Sequence, residues 1–200
     1  MPKQKAENNI EYRAIDQIEL RKDEDKPAVI TGYAAVFDKL SLPLGFDGGF
    51  REKIAKGAFT KTIKKDDIRA LVGHDSSRII GRIKSGTLTL KEDNKGLKVE
   101  ITPPDTQVGR DIVTSIERGD IDGMSFGFRT VTDEWHIENK KEIRTLIEVD
   151  LSDVSPVTYP AYTSTSIAVR SLEAWKESQK PKDEGVAERM KMQLRLEESK

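Results

Sequence analysis

No cysteine occurs in the 200 residues, so neither a disulfide framework nor a thiolate zinc site is open to this chain, and nothing in it answers to an oxidising compartment. Histidine is almost as scarce. Two in the whole chain supply too few ligands for a zinc site that draws on several imidazoles, and with no glycine-rich phosphate loop either, no metal or other cofactor is expected. Charge of one sign is also lacking: 34 Lys and Arg stand against 35 Asp and Glu, a net charge of −1, with the two signs interspersed. That balance argues against a nucleic-acid-binding surface. No apolar run approaches the roughly 18 residues of a membrane span, and Met1-Pro2-Lys3-Gln4-Lys5 leads into no apolar signal segment, so a soluble, intracellular protein is expected.

What the chain does have is a serine set among large apolar neighbours: Gly123-Met124-Ser125-Phe126-Gly127-Phe128. In a strand, bulky alternate residues turn into the core and Ser125 points the other way, while Gly123 and Gly127 allow another backbone or a substrate to come close. Such a serine taken alone is an ordinary hydrogen-bonded residue, and its neighbours in the fold decide whether it is more. One neighbour is offered by Leu71-Val72-Gly73-His74-Asp75. His74 follows the apolar run Ile68 to Val72, which reads as a strand, and imidazole is the side chain suited to take a hydroxyl proton near neutral pH and return it to a leaving group. Asp75 begins an expected turn, Asp75-Ser76-Ser77. His136 lies in the polar run Asp133 to Lys141, read as a loop or hairpin tip.

A carboxylate comes from Leu146-Ile147-Glu148-Val149-Asp150-Leu151-Ser152-Asp153-Val154-Ser155-Pro156-Val157, whose alternation has the period of a half-buried strand. Ile147, Val149 and Leu151 share one face, and Glu148, Asp150 and Ser152 the other. Either Glu148 or Asp150 could orient His74. Asp153 falls on the apolar parity and would need a bulge to join them.

The remaining chain is strand-rich. Tyr12 to Ile15, Gln17 to Arg21 and Val29 to Phe37 read as strands, Ser41 to Gly49 as a loop, and Gly57 to Lys65 as a short helix. Thr87 to Lys91 and Leu97 to Ile101 form a hairpin through Asp93-Asn94-Lys95-Gly96. Thr106 to Arg118 has helical spacing in Val108, Ile112, Val113 and Ile116, with Asp105 or Thr106 as N-cap. Strands with isolated helices and no repeated βαβ unit make the fold class α+β with a barrel-like sheet. Two domain segments are expected: a folded domain over 1–170, and a charged tail over 171–200, broken by Pro181, with a helix from Gly185 to Glu198.

Taken in order, Leu-Val-Gly-His-Asp, Gly-Met-Ser-Phe-Gly-Phe and Val-Asp-Leu-Ser-Asp-Val-Ser-Pro-Val-Thr-Tyr-Pro-Ala-Tyr closely resemble the prohead maturation proteases of tailed bacteriophages. So do Ile30-Thr31-Gly32-Tyr33-Ala34-Ala35-Val36-Phe37 and the run Phe50-Arg51-Glu52-Lys53-Ile54 with Gly57-Ala58-Phe59. The resemblance spans about Tyr12 to Arg170. It implies a mostly antiparallel β-barrel wrapped by a few helices, related to the herpesvirus assemblins, and a serine endopeptidase with Ser125 as nucleophile and His74 as base. The third member it implies is Asp150, or Glu148 where the assemblin strand is matched without gaps. The partners implied are the capsid protein or its scaffolding segment as substrate and further copies of the enzyme, with no nucleic acid and no membrane. The location implied is the interior of a prohead in the bacterial cytoplasm. An assemblin-type arginine for the oxyanion is missing at Ser155-Pro156-Val157, which leaves the amides near Ser155, Arg78 and Arg82 as candidates. The alternative is a β-barrel assembly or scaffold module that keeps the pattern without activity.

Overall fold

The computed structural model describes residues 10–16, 18–23, 27–45, 49–159 and 166–179. The expected helix at Gly185 to Glu198, and residues 46–48 of the expected loop, lie outside the described residues. Chain order is β1 (Glu11–Ile15), β2 (Ile18–Arg21), β3 (Val29–Val36), β4 (Phe50–Ile54), α1 (Thr60–Lys65), β5 (Arg69–Val72), β6 (Asp75–Arg82), β7 (Leu88–Glu92), β8 (Gly96–Ile101), α2 (Gln107–Glu117), β9 (Gly123–Glu138), β10 (Lys141–Val157) and α3 (Ser166–Gln179). The chain divides into two compact units, 1–169 and 170–200.

The class is α+β, and among the described residues the strands form two sheets instead of one closed barrel. One sheet runs β1-β9-β10-β5-β6, with β4 also on β10; the other runs β2-β3-β8-β7. In the first, one edge of β10 is shared by two short strands, β4 along Glu142 to Leu146 and β5 at Asp153 and Val154, both parallel to it. The second sheet is antiparallel throughout.

Between them lies the core. Ile30, Leu97, Val99 and Ile101 from the second sheet meet Phe126, Phe128, Leu151 and Val154 from the first. Phe126 is the hub: it stacks on Phe128 at 5.0 Å and meets Phe59 edge-on at 5.3 Å, geometries that suit the ring quadrupoles. α2 has its N-cap at Thr106, whose hydroxyl accepts from the Gly109 N–H at 3.3 Å, and it buries Ile112 and Ile116. That capping bond satisfies one of the free N–H groups of the first turn. Residues 133–138, read from sequence as loop or hairpin tip, continue β9 as strand. The hairpin turns only at Asn139-Lys140, both at positive φ (50° and 61°), the requirement of a type I′ turn.

Candidate active site

The β5–β6 connection is the shortest a hairpin permits. Val72 pairs with Asp75, so the turn consists of Gly73 and His74, at φ 61° and 62°. Both central residues of a type I′ turn need this left-handed region; Gly73 enters it freely, and His74 belongs to the few side-chain types enriched there. The expected turn at Asp75-Ser76-Ser77 is already strand. Two bonds tie the tip to β10: the Gly73 N–H donates to the Pro156 carbonyl at 3.0 Å, and the His74 N–H to Ser155 Oγ at 3.1 Å.

Ser125 lies on β9 between Ala14 of β1 and Ser155 of β10. Its neighbours Met124 and Phe126 are buried in the core, so strand alternation turns the hydroxyl to the opposite face, where His74 hangs from its turn. His74 Nε2 is 2.7 Å from Ser125 Oγ. The hydroxyl also lies 2.9 Å from the Arg13 carbonyl. Ser125 is 2% exposed and the His74 side chain 16%.

The carboxylate at His74 is Asp153, with Oδ2 2.6 Å from Nδ1. The two acids expected from alternation do not lie there: Glu148 is ion-paired with Lys61 at 2.6 Å, and Asp150, opposite Arg129, is exposed. A bulge explains the exchange. Leu151 pairs with Phe128 but the next pair is Asp153 with Gly127, so Ser152 is an extra residue and the parity of β10 reverses. Leu151 and Val154 can then both enter the core while Asp153 and Ser155 join the face of Ser125. The signal was in the sequence: apolar positions three apart in a strand require such a slip.

Gly127 makes room for this carboxylate. A Cβ there would stand 2.7 Å from Asp153 Oδ1 and 2.9 Å from the Tyr12 ring. Tyr12 in turn packs on His74, with ring centroids 4.2 Å apart. Burial, and beside it the Asp153 charge, push the Tyr12 phenol above its ordinary value. An ionised carboxylate can only accept, so it selects the tautomer with the proton on Nδ1 and leaves the Nε2 lone pair aimed at the Ser125 hydroxyl. The arrangement can withdraw a proton from Oγ and stabilise the imidazolium that results.

Behind Ser125 the sheet contains a buried ion cluster that sequence reasoning passed over. Arg13 binds Glu52 at 2.7 Å and Glu11 at 2.9 Å. Arg144, 1% exposed, binds Glu11, Glu52, Asp133 and Thr130. Burial pushes the Glu11 carboxyl up, but the Arg144 and Arg13 guanidiniums outweigh it and hold it below the ordinary carboxylate value. Its place was readable in Phe50-Arg51-Glu52-Lys53-Ile54, where Glu52 shares a face with Phe50 and Ile54. Of the arginines considered for the oxyanion, Arg82 is bound to Asp67, while Arg78 borders a cavity of about 380 Å³ with Gly73, Ile112, Pro156 and Tyr159.

The sequence profile of the family described as Caudovirus prohead serine protease matches residues 16–179. The prohead protease of Enterobacteria phage HK97 is 27% identical over 178 residues, covering 81% of this chain and 73% of that protein. Among solved structures, the bacteriophage T4 capsid assembly protease superposes with a TM-score of 0.55 at 11% identity, over 74% of this chain and 97% of that one; at that identity the likeness speaks for the fold.

Proposed function

Because this chain belongs to the family of Caudovirus prohead serine proteases, we propose that it is the endopeptidase that cuts capsid or scaffold protein during prohead maturation, with Ser125, His74 and Asp153 as its triad. The observation that carries this reading is the unbroken path from Asp153 Oδ2 through His74 to Ser125 Oγ, with contacts of 2.6 and 2.7 Å. In the first half-reaction His74 Nε2 takes the Ser125 proton as Oγ attacks the scissile carbonyl. It then delivers that proton to the leaving amine, and the acyl enzyme is hydrolysed by water along the same route. Asp153 holds the imidazole in the productive tautomer and offsets its positive charge.

The proposal extends to confinement. Packing of copies inside a prohead would bring enzyme and substrate together at high local concentration, and the enzyme's own charged segment at 171–200 would be cut as well. Co-expression with the capsid protein, followed by mass spectrometry of wild type and Ser125→Ala, tests the reading. Cleavage should be complete in the first case and absent in the second. Equal processing by the variant would remove Ser125 from the chemistry.

A further inference from the structure

Resting on that triad, we infer that Ser155 is a fourth, positioning member of the site: its hydroxyl ties the orienting carboxylate to the backbone of the base. Ser155 is fully buried, and the mechanism above does not use it. Its Oγ donates to Asp153 Oδ2 at 2.9 Å and accepts the His74 N–H at 3.1 Å. Since Oδ2 also receives the His74 Nδ1 proton, a closed circuit runs from the His74 backbone through Ser155 and Asp153 back to the His74 ring.

Three physical consequences follow. The left-handed conformation of His74 at φ 62° is held from outside by a bond to its own amide, as a residue in a sparsely populated region requires. The carboxylate is held by two donors on Oδ2, the His74 ring and the Ser155 hydroxyl, so its rotamer is fixed before substrate arrives. The position of Nε2 relative to Oγ is thereby set from β10, where Asp153 and Ser155 stand two residues apart and Ser155 is directly opposite Ser125, together with the Tyr12 ring packed on the imidazole. Misplacing a reacting group by a fraction of an ångström is expensive in rate even where binding is untouched.

The experiment measures phosphonylation of Ser125 by a fluorophosphonate, in which Oγ bonds to phosphorus and fluoride leaves, and which needs no knowledge of the cleavage sequence. Wild type should be labelled at Ser125 and Ser125→Ala should not; an unlabelled wild type would sink the hydrolase reading itself. Given labelling, Ser155→Ala should lower the maximal inactivation rate about ten- to hundredfold, the effect of losing a hydrogen bond to a charged group, with the half-saturating inhibitor concentration unchanged. Ser155→Cys, nearly the same size with a weaker donor, should fall between, and it decides the matter if the alanine variant does not fold. In wild type the His74 amide should exchange its hydrogen slowly. Wild-type inactivation rates in a folded variant, a change confined to half-saturation, or a His74 amide exchanging as a free one would each overturn the proposal.

Discussion

Gly127→Ala crowds Asp153 and the Tyr12 ring that packs on His74, without replacing any member of the proposed triad. A Cβ on residue 127 would sit 2.7 Å from Asp153 Oδ1 and 2.9 Å from Tyr12 Cε1, where 3.4 Å is ordinary contact. Oδ1 must therefore retreat by about 0.7 Å, the difference between those distances, and it cannot do so without carrying Oδ2 away from the 2.6 Å bond to His74 Nδ1. Residue 127 is extended and its φ does not lie in the left-handed region, so the backbone itself accepts alanine. Overpacking a filled site costs about 1–3 kcal/mol, against which the reduced chain entropy of alanine returns about 0.5–1 kcal/mol. The net effect on stability is small for a domain of this size. A displacement of this order at a catalytic group costs about a hundredfold in rate. Gly123→Ala is the matched control on the same strand and face, since its nearest neighbours are Val157 Cγ2 and the Val157 carbonyl at 3.2 Å, beyond Ser155. Fluorophosphonate labelling rates alongside urea denaturation give both readouts. A folded Gly127→Ala protein as reactive as Gly123→Ala would refute the claim that space at residue 127 positions Asp153.

Asp153→Asn should lower turnover by about four orders of magnitude, because an amide favours the wrong imidazole tautomer and carries no charge; Asp150→Asn and Glu148→Gln should stay within severalfold of wild type in the same peptide-hydrolysis assay. Arg144→Met should cost about 3–5 kcal/mol in urea denaturation, since it strands Glu11 and Glu52 as buried, under-compensated charges. Acid should weaken the same cluster: the folded Glu11 carboxyl lies below its ordinary value of 4.5, so its contribution is fully present above pH 4.5 and is lost as pH falls through the lower folded value. A Glu11→Gln protein should show a shallower fall of urea midpoint over that interval, and an identical slope would count against the ionised carboxylate.

Both the serine and the histidine were legible because each sits in a pattern that local rules resolve: glycines and alternating apolar residues around Ser125, and an apolar run ending in Gly73-His74. The α2 boundaries and the β7–β8 hairpin were legible for the same reason, being set by capping, by spacing and by the Asp93 turn. The carboxylate was legible only conditionally, as an Asp153 that a bulge would have to bring round. Alternation is a parity count, and one inserted residue at Ser152 inverts it, so the argument that placed Glu148 and Asp150 on the face of His74 holds only up to the bulge. Sheet order was equally beyond local rules, because nothing in the strands themselves states that β4 and β5 divide one edge of β10 between them.

The ion cluster shows why charge in a strand is a poor guide to exposure. Glu11 and Arg13 come from β1, Glu52 from β4 and Arg144 from β10, strands joined through β9 and β10 in one sheet, and beyond the Glu11–Arg13 pair within β1 the opposite charges meet only after the sheet is assembled. Alone, none could be buried, because the desolvation penalty of an unpaired ion exceeds what packing returns. Together they satisfy one another, and the backbone carbonyl of Arg13 reaches the Ser125 hydroxyl at 2.9 Å. The cluster thus fixes β1 against β9 beside Ser125. Burying it demands that β1, β4, β9 and β10 all be in register, so a slip of any one strand by a single residue would leave ions unpaired in the core. The same register places Ser155 across from Ser125 and Asp153 across from Gly127, so the pairing that avoids stranded charge is also the pairing that assembles the site.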